Sequence, residues 1–474
     1  MRELHYLSAT EAIRQFKRKE LSPVELMTAV IARSEVVEPA INAFSFSYFE
    51  EALAAAKAAE SRYMDGTARP LEGIPVAAKD ESYIEGQVTT NGSLLLKDAV
   101  AKTTSFVIQR LLDAGAIVHA RTTTPEFSVA VFTWSKLWGV TRNPWNLDMT
   151  PGGSSGGSCA SLAAGTTTLA TGSDIGGSIR VPASLCGLVG FKAPYGRIPE
   201  EPPWNLEYYN HQGPLVRTVS DCILMQNVMA GPHPQDIATL KPKLTLPETY
   251  GDIKGWRIAY SIDLGYQEVD PEVCDNTLAA LDVFRGLGAV VEEVDLGWTA
   301  ETLTAALDHL TYGLMGASLL QYDTAEQRDL LTDYVRYLIQ MAKDVTVNQA
   351  YRAEVVSAEM YAPLGRFFED YQLFICPTVA NTGVTADFDY SRQSLAINGV
   401  EIEPKFGWVM TYPFNMLSRC PVLAVPSGQA ANSVPTGIQL VGPTYEDEVV
   451  FQAASAYETA NPHFFREEKF PLFS

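Results

Sequence analysis

Residues 152–180 read GGSSGGSCASLAAGTTTLATGSDIGGSIR. Two glycine–serine clusters stand at the ends, and a run of small and apolar residues separates them. Glycine lets the backbone adopt positive φ and lets another group approach where a Cβ would intervene. Serine supplies a hydroxyl that can donate, accept or attack. Flexible linkers are rich in the same two residues. A linker does not, however, run on into TTTLATGSDIGG and LCGLVGFK, which need burial. The stretch therefore belongs inside a core, with its two clusters as two walls of one site.

The rest of the chain supplies such a core. Short apolar runs at 74–78, 117–120, 185–191, 256–262, 289–294, 373–376 and 422–425 are expected as strands. Helices are expected at 105–113, 275–287 and 446–458, with Gly115 just past the first. Residues 8–66 read as three helices, with capping-box spacing at Ser8/Glu11 and Ser22/Glu25. This alternation implies an α/β fold: a large mixed, mostly parallel sheet with helices on both faces. The expected organisation is a single domain over 1–474. It has an N-terminal helical region at 1–70, a core carrying the signature residues at 72–192, and a helical insertion or cap at 300–370. Segments 198–203 and 241–251 are expected as surface loops.

Charge narrows the partners. The formal net charge is −21, which repels nucleic acid and anionic membrane surfaces. No run approaches the ~18 apolar residues of a membrane span, and the N-terminus lacks the apolar segment of a signal peptide. A cytoplasmic location is expected. The six cysteines show no CxxC or other ligand spacing and are expected as buried free thiols. No metal and no cofactor is expected.

Several standard motifs are absent: GxxxxGK[ST], GxSxG and GxGxxG. A hydrolytic site needs a nucleophile, a base and donors for an oxyanion. The six histidines (His5, His119, His211, His233, His309, His463) are scattered, and none lies in a glycine-rich turn. Lys79 is the alternative base, because it ends the apolar run IPVAAK. Burial disfavours the charged form of lysine and leaves an amine able to accept a proton.

These residues resemble the amidase signature hydrolases. The likeness lies in Gly152-Gly153-Ser154-Ser155-Gly156-Gly157 and in Gly172-Ser173-Asp174-Ile175-Gly176-Gly177-Ser178-Ile179-Arg180. It extends to Gly73-Ile74-Pro75-Val76-Ala77-Ala78-Lys79-Asp80, to Cys186-Gly187-Leu188-Val189-Gly190-Phe191-Lys192, to Cys376-Pro377-Thr378 and to the stretch VPTGIQLVG at 434–442. It covers most of the chain and is weakest across 195–370. The resemblance implies a Ser–Ser–Lys triad: Ser178 as nucleophile, Ser154 as bridge after a cis Gly153–Ser154 peptide, and Lys79 as base. It also implies an oxyanion hole from the N–H groups of Ile175, Gly176, Gly177 and Ser178. The two glycines would let the carbonyl oxygen approach the bare backbone closely. Ser155 is expected as a hydrogen-bonding neighbour of Lys79, Asp174 and Arg180 as braces of the loop, and Ser158 and Ser173 as structural residues.

Two aromatic-rich stretches and one short run are the expected pocket: 127–138 with Phe132, Trp134 and Trp138; 204–211 with Trp204, Tyr208 and the preceding Tyr195; and Trp408. They favour a bulky apolar or aryl substrate. Amide, anilide and carbamate (urethane) substrates all remain open. The expected partners are a small-molecule amide or carbamate and water. The resemblance adds a homodimer, and, as the alternative, a glutaminase component of a multi-protein amidotransferase.

Overall fold

Along strand Leu373–Pro377 the side chains alternate between two cores: Leu373 and Ile375 enter one hydrophobic cluster, and Phe374 and Cys376 enter another. A strand covered on both faces has no polar side to alternate with, and so reads as a continuous apolar run. The computed structural model describes residues 3–466 and 469–473. Residues 1, 2, 467, 468 and 474, which the expected regions 1–70 and 1–474 include, lie outside the described residues.

One sheet of 11 strands runs through the protein. In spatial order its strands are Phe44–Ser47, Ile117–Thr122, Pro75–Lys79, Leu169–Asp174, His211–Val216, Val189–Lys192, Val422–Gln429, Pro435–Val441, Leu373–Pro377, Arg257–Tyr260 and Val290–Glu293. The mixed α/β character is as expected, but the mostly parallel arrangement is not. Among the described residues, six of the ten strand pairings are antiparallel and four are parallel. Parallel neighbours need a long crossover; here the short link from Val422–Gln429 to Pro435–Val441 turns the chain straight back. An apolar run does not encode the direction of its partner.

The expected strand at 185–191 is also divided. Residues Arg180–Cys186 form a helix, Gly187 ends it at φ +70°, and the strand begins at Val189. The three N-terminal helices are Ala9–Arg18, Pro23–Ile41 and Phe49–Asp65, with Ser8 and Ser22 accepting from the N–H groups of Glu11 and Glu25. Strand Phe44–Ser47, between two of them, is an element that the sequence pattern does not reveal. Segment 241–251 is mostly exposed, as expected. Segment 198–203 is only partly a surface loop: Pro202 and Pro203 are exposed at the edge of a cavity, but Ile198 is buried. The helical block at 301–370 packs mainly in the second cluster and sends Met315, Leu319 and Tyr322 toward the same cavity. No described helix is long and apolar enough to cross a membrane.

Candidate active site

Strand Pro75–Lys79 lies inside the sheet, parallel to Ile117–Thr122 on one side and to Leu169–Asp174 on the other. All five of its residues are buried. The lysine stem at its end therefore has only the interior to enter. Lys79 Nζ is fully buried, 2.7 Å from Ser154 Oγ and 2.9 Å from Ser173 Oγ. Glu81 Oε2 lies 3.0 Å away. Three acceptors match the three hydrogens of an ammonium; a neutral amine would keep two and offer a lone pair to one hydroxyl. Burial drives the Lys79 pKa below its ordinary value, and the charges of Glu81 and Asp174 oppose that drive without overcoming it.

The Gly153–Ser154 peptide is cis. A Cβ at Gly153 would lie 2.3 Å from the carbonyl oxygen of Phe132, so no larger residue fits there. Ser178 is brought to the same place by backbone contact, its carbonyl accepting from the Ser155 N–H at 3.3 Å. Both serines line one cavity. Ser178 Oγ makes no hydrogen bond among the described residues, so the hydroxyl is uncommitted. Ser155 Oγ donates to the carbonyl of Ser173 at 3.4 Å and not to Lys79. Ser173, expected as structural, is instead a direct partner of Lys79. Ser158 does serve structure, donating to the carbonyl of Thr171 at 2.9 Å.

The loop 175–178 hangs on Asp174. Its carboxylate accepts from the N–H of Gly177 at 2.8 Å and of Ile179 at 3.2 Å. Arg180 grips it with Nε and Nη2, each at 2.9 Å. Burial works against the ionised Asp174; Arg180 and the Asn415 amide outweigh it and hold the carboxyl far below its usual value. Arg180 Nη1 continues to the carbonyl of Thr411 at 2.9 Å and to Gln439 Oε1 at 2.7 Å. Asp174 and Arg180 thus tie the loop to the C-terminal half by hydrogen bonds. One expected oxyanion donor is corrected: the Gly177 N–H is committed to Asp174. The N–H groups of Ile175, Gly176 and Ser178 have no partner among the described residues. Gly177 sits at φ +131°, where a Cβ would come within 1.9 Å of Thr411 Oγ1. A Cβ at Gly176 would meet the ring of Phe406. The two glycines are required by packing, where the expectation is close approach of a substrate carbonyl.

The cavity beside the two serines has a volume of about 420 Å³. Of the seven expected pocket residues, it receives only Trp204. Phe132 and Trp134 pack among Tyr334, Phe388 and Tyr390 in the core. Trp138 donates to Thr90 Oγ1 at 3.0 Å, Tyr195 donates to the carbonyl of Asn205 at 2.7 Å, and Trp408 is fully buried. Tyr208 bonds Glu354 beside a different cavity. For Phe132, Trp134 and Trp408 the physical reason is that an aromatic ring is as readily drawn into a core as into a pocket; Trp138, Tyr195 and Tyr208 are held elsewhere by their polar tips. The apolar wall comes from Phe127, Val129, Ile175, Met315, Leu319 and Tyr322. Phe127 and Ser128 both carry positive φ, a strained backbone that presents them to the cavity. The polar wall includes Glu81, Glu200 and Glu201, which sequence reasoning does not single out. The spacing Lys79-x-Glu81 at a strand end is the available signal for the first. Among the described residues, no group of His, Cys, Asp or Glu is placed to hold a metal ion.

A family model described as Amidase matches residues 25–451. The chain is 34% identical over 471 residues to an acylamidase of Rhodococcus erythropolis, covering 97% of this chain and 96% of that protein. It is 34% identical over 496 residues to a glutamyl-tRNA(Gln) amidotransferase component of Geobacter metallireducens, covering 97% and 98%. The solved structure of a bacterial aryl acylamidase of the amidase signature enzymes superposes with a TM-score of 0.89 at 30% identity, covering 97% of each chain.

Replacing Arg180 with Met would leave Asp174 a buried charge without its cation. The expected loss of stability is ~3–5 kcal/mol, read as a lower urea midpoint; an unchanged midpoint would show that the pair does not hold the loop.

Proposed function

This chain belongs to the amidase family, and on that basis we propose that it is a serine hydrolase. It cleaves the C–N bond of an amide through an acyl-enzyme on Ser178. The observation that carries this reading is the buried Lys79 amine on Ser154 Oγ, beside an uncommitted Ser178 hydroxyl in one cavity.

Ser178 Oγ attacks the substrate carbonyl carbon. Its proton passes to Ser154 Oγ, which gives its own to neutral Lys79 Nζ. The free N–H groups of Ile175, Gly176 and Ser178 donate to the oxygen on which negative charge develops. The C–N bond breaks as Lys79 returns the proton, through Ser154, to the leaving nitrogen. Water then loses a proton along the same route and attacks the ester carbon. The acid leaves and Ser178 is restored. Ser173 and Glu81 orient the lysine between these steps. The same acyl chemistry would open an anilide, a carbamate or an ester, and the apolar wall of the cavity supports a bulky apolar substituent.

The second reading, a glutaminase component of an amidotransferase, draws support from the relatives of that name. Glutamine carries an α-carboxylate beside its α-ammonium, and the natural partners of the carboxylate are Arg or Lys. No Lys, Arg or His is among the described residues that line the cavity, whereas three glutamates are. Pure protein is therefore expected to cleave an aryl amide and to leave glutamine intact. Rapid glutamine hydrolysis appearing on addition of partner proteins would reverse the preference.

Ser178→Ala is expected to lower kcat by roughly 10⁴-fold or more, since no other residue supplies the nucleophile; near-normal turnover would end the assignment. Activity is expected to rise with pH as Lys79 deprotonates. Glu81 favours the charged lysine, so in Glu81→Gln the rising limb of kcat should move to lower pH. A limb that stays in place, or moves to higher pH, would count against Lys79 as base.

A further inference from the structure

Given the hydrolase reading above, we propose that the cavity beside Ser178 holds a subsite for an ammonium group of the substrate, formed by Glu200, Glu201 and Gln212. All three residues line the cavity.

The two carboxyl groups are built into the wall without a countercharge. Glu200 Oε1 accepts from the Glu201 N–H at 3.0 Å. Glu200 Oε2 accepts from Asn210 Nδ2 at 3.1 Å and from Gln212 Nε2 at 2.6 Å. Glu201 Oε1 accepts from the N–H of Phe106, which begins helix Phe106–Asp113. Every described donor is a neutral amide, and neither residue forms an ion pair among the described residues. Glu72, Asp174 and Asp447 each face an arginine, whereas the buried Glu126 is, like Glu200, held by uncharged donors. A buried carboxylate without a cation is costly. Burial and the adjacent Glu201 push the Glu200 carboxyl well above the usual range. The pair thus waits in a state that an incoming cation would relieve.

A second observation points to the same ligand. Gln212 is only 8% exposed. Its Nε2 is spent on Glu200, yet its Oε1 has no hydrogen-bond partner among the described residues. A buried, unfilled acceptor beside two carboxyls matches the three diverging N–H donors of an alkylammonium. Such a site suits neither an anion nor an apolar group.

The subsite adjoins the reaction centre. Gln212 stands directly opposite Ser173 in the antiparallel pairing of His211–Val216 with Leu169–Asp174. Directly opposed residues project to the same face of a sheet. Ser173 Oγ touches Lys79 Nζ at 2.9 Å. The stacked rings of Phe127 and Tyr322, with centroids 5.0 Å apart, remain to cover the apolar remainder of the substrate. The substrate class is therefore an amide with an amino group a short reach from its scissile bond, on the acyl half or on the leaving amine, and without the α-carboxylate that glutamine carries, for which the lining holds no cation.

Two isosteric pairs test this on the full-length chain. β-Alanyl-4-nitroanilide against butanoyl-4-nitroanilide places the ammonium on the acyl half. Butanoyl-4-(aminomethyl)anilide against butanoyl-4-ethylanilide places it on the amine. In at least one pair the ammonium member should have a kcat/KM higher by about tenfold or more. That ratio should fall toward one in Glu201→Gln and in Glu200→Gln. Labelling of Ser178 by a fluorophosphonate gives a readout that needs no turnover: butylammonium should slow it in the unaltered protein and 1-butanol at the same concentration should not. Ratios near or below one in both pairs, equal effects of butylammonium and butanol, or a preference that survives both substitutions would overturn the subsite. If Ser178 labels and the neutral anilides are cleaved, the hydrolase reading stands and the subsite alone falls. If Ser178 does not label and no anilide is cleaved, both fall.

Discussion

The buried pair of Asp174 and Arg180 ties the two halves of this protein to one loop. Asp174 ends a strand of the N-terminal half and collects the N–H groups of Gly177 and Ile179. Arg180 opens the next helix and reaches Thr411, Asn415 and Gln439 in the C-terminal half. Asn415 returns to the Asp174 carboxylate at 2.8 Å. The loop 175–178 is thereby held at both ends and from behind, with three N–H groups turned away from any described protein partner. A buried ion pair of this kind is weak evidence for stability, because desolvation offsets attraction. Its contribution is geometric: it sets where the Ser178 hydroxyl and the free N–H groups lie relative to Ser154.

A second balance sets the state of Lys79. Complete burial disfavours its charge, while Glu81 at 3.0 Å favours it. Burial prevails. Two hydroxyls and a carboxylate give the amine partners in either protonation state, so a proton arriving or leaving does not strand an unsatisfied group in the core. This is the property the proposed relay through Ser154 requires.

Much of the site is legible in one dimension because its chemistry demands particular residue types at particular backbone positions. Gly153 and Gly177 leave no room for a Cβ, whereas a lysine ending an apolar run can as well reach solvent, and only the fold encloses Lys79. What the sequence conceals has equally definite causes. The run 185–191 divides into helix and strand because short apolar runs do not distinguish the two. The direction of strand pairing depends on how the chain returns, which composition does not record. Gly177 is expected to face the substrate, but its N–H is taken by a carboxylate three residues earlier. Six of the seven aromatic residues go to other places, because ring size and apolarity serve a core as well as a pocket and a polar tip can be bonded elsewhere.

By itself the sequence determined the α/β class and the burial of the glycine–serine stretch, and its resemblance to the amidase signature hydrolases singled out Lys79, Ser154 and Ser178. The first two rest on local necessities: apolar runs that need burial and glycines where a Cβ has no room. Only the tertiary structure decided what surrounds them. It placed Phe127, Met315 and Tyr322 on one cavity from distant parts of the chain, set Glu81 against the lysine, and left Glu200 and Glu201 in the wall with no described cation beside them. Pocket lining and pocket charge are sums over residues far apart in sequence. Neither exists until the sheet has formed and the helical block at 301–370 packs beside it.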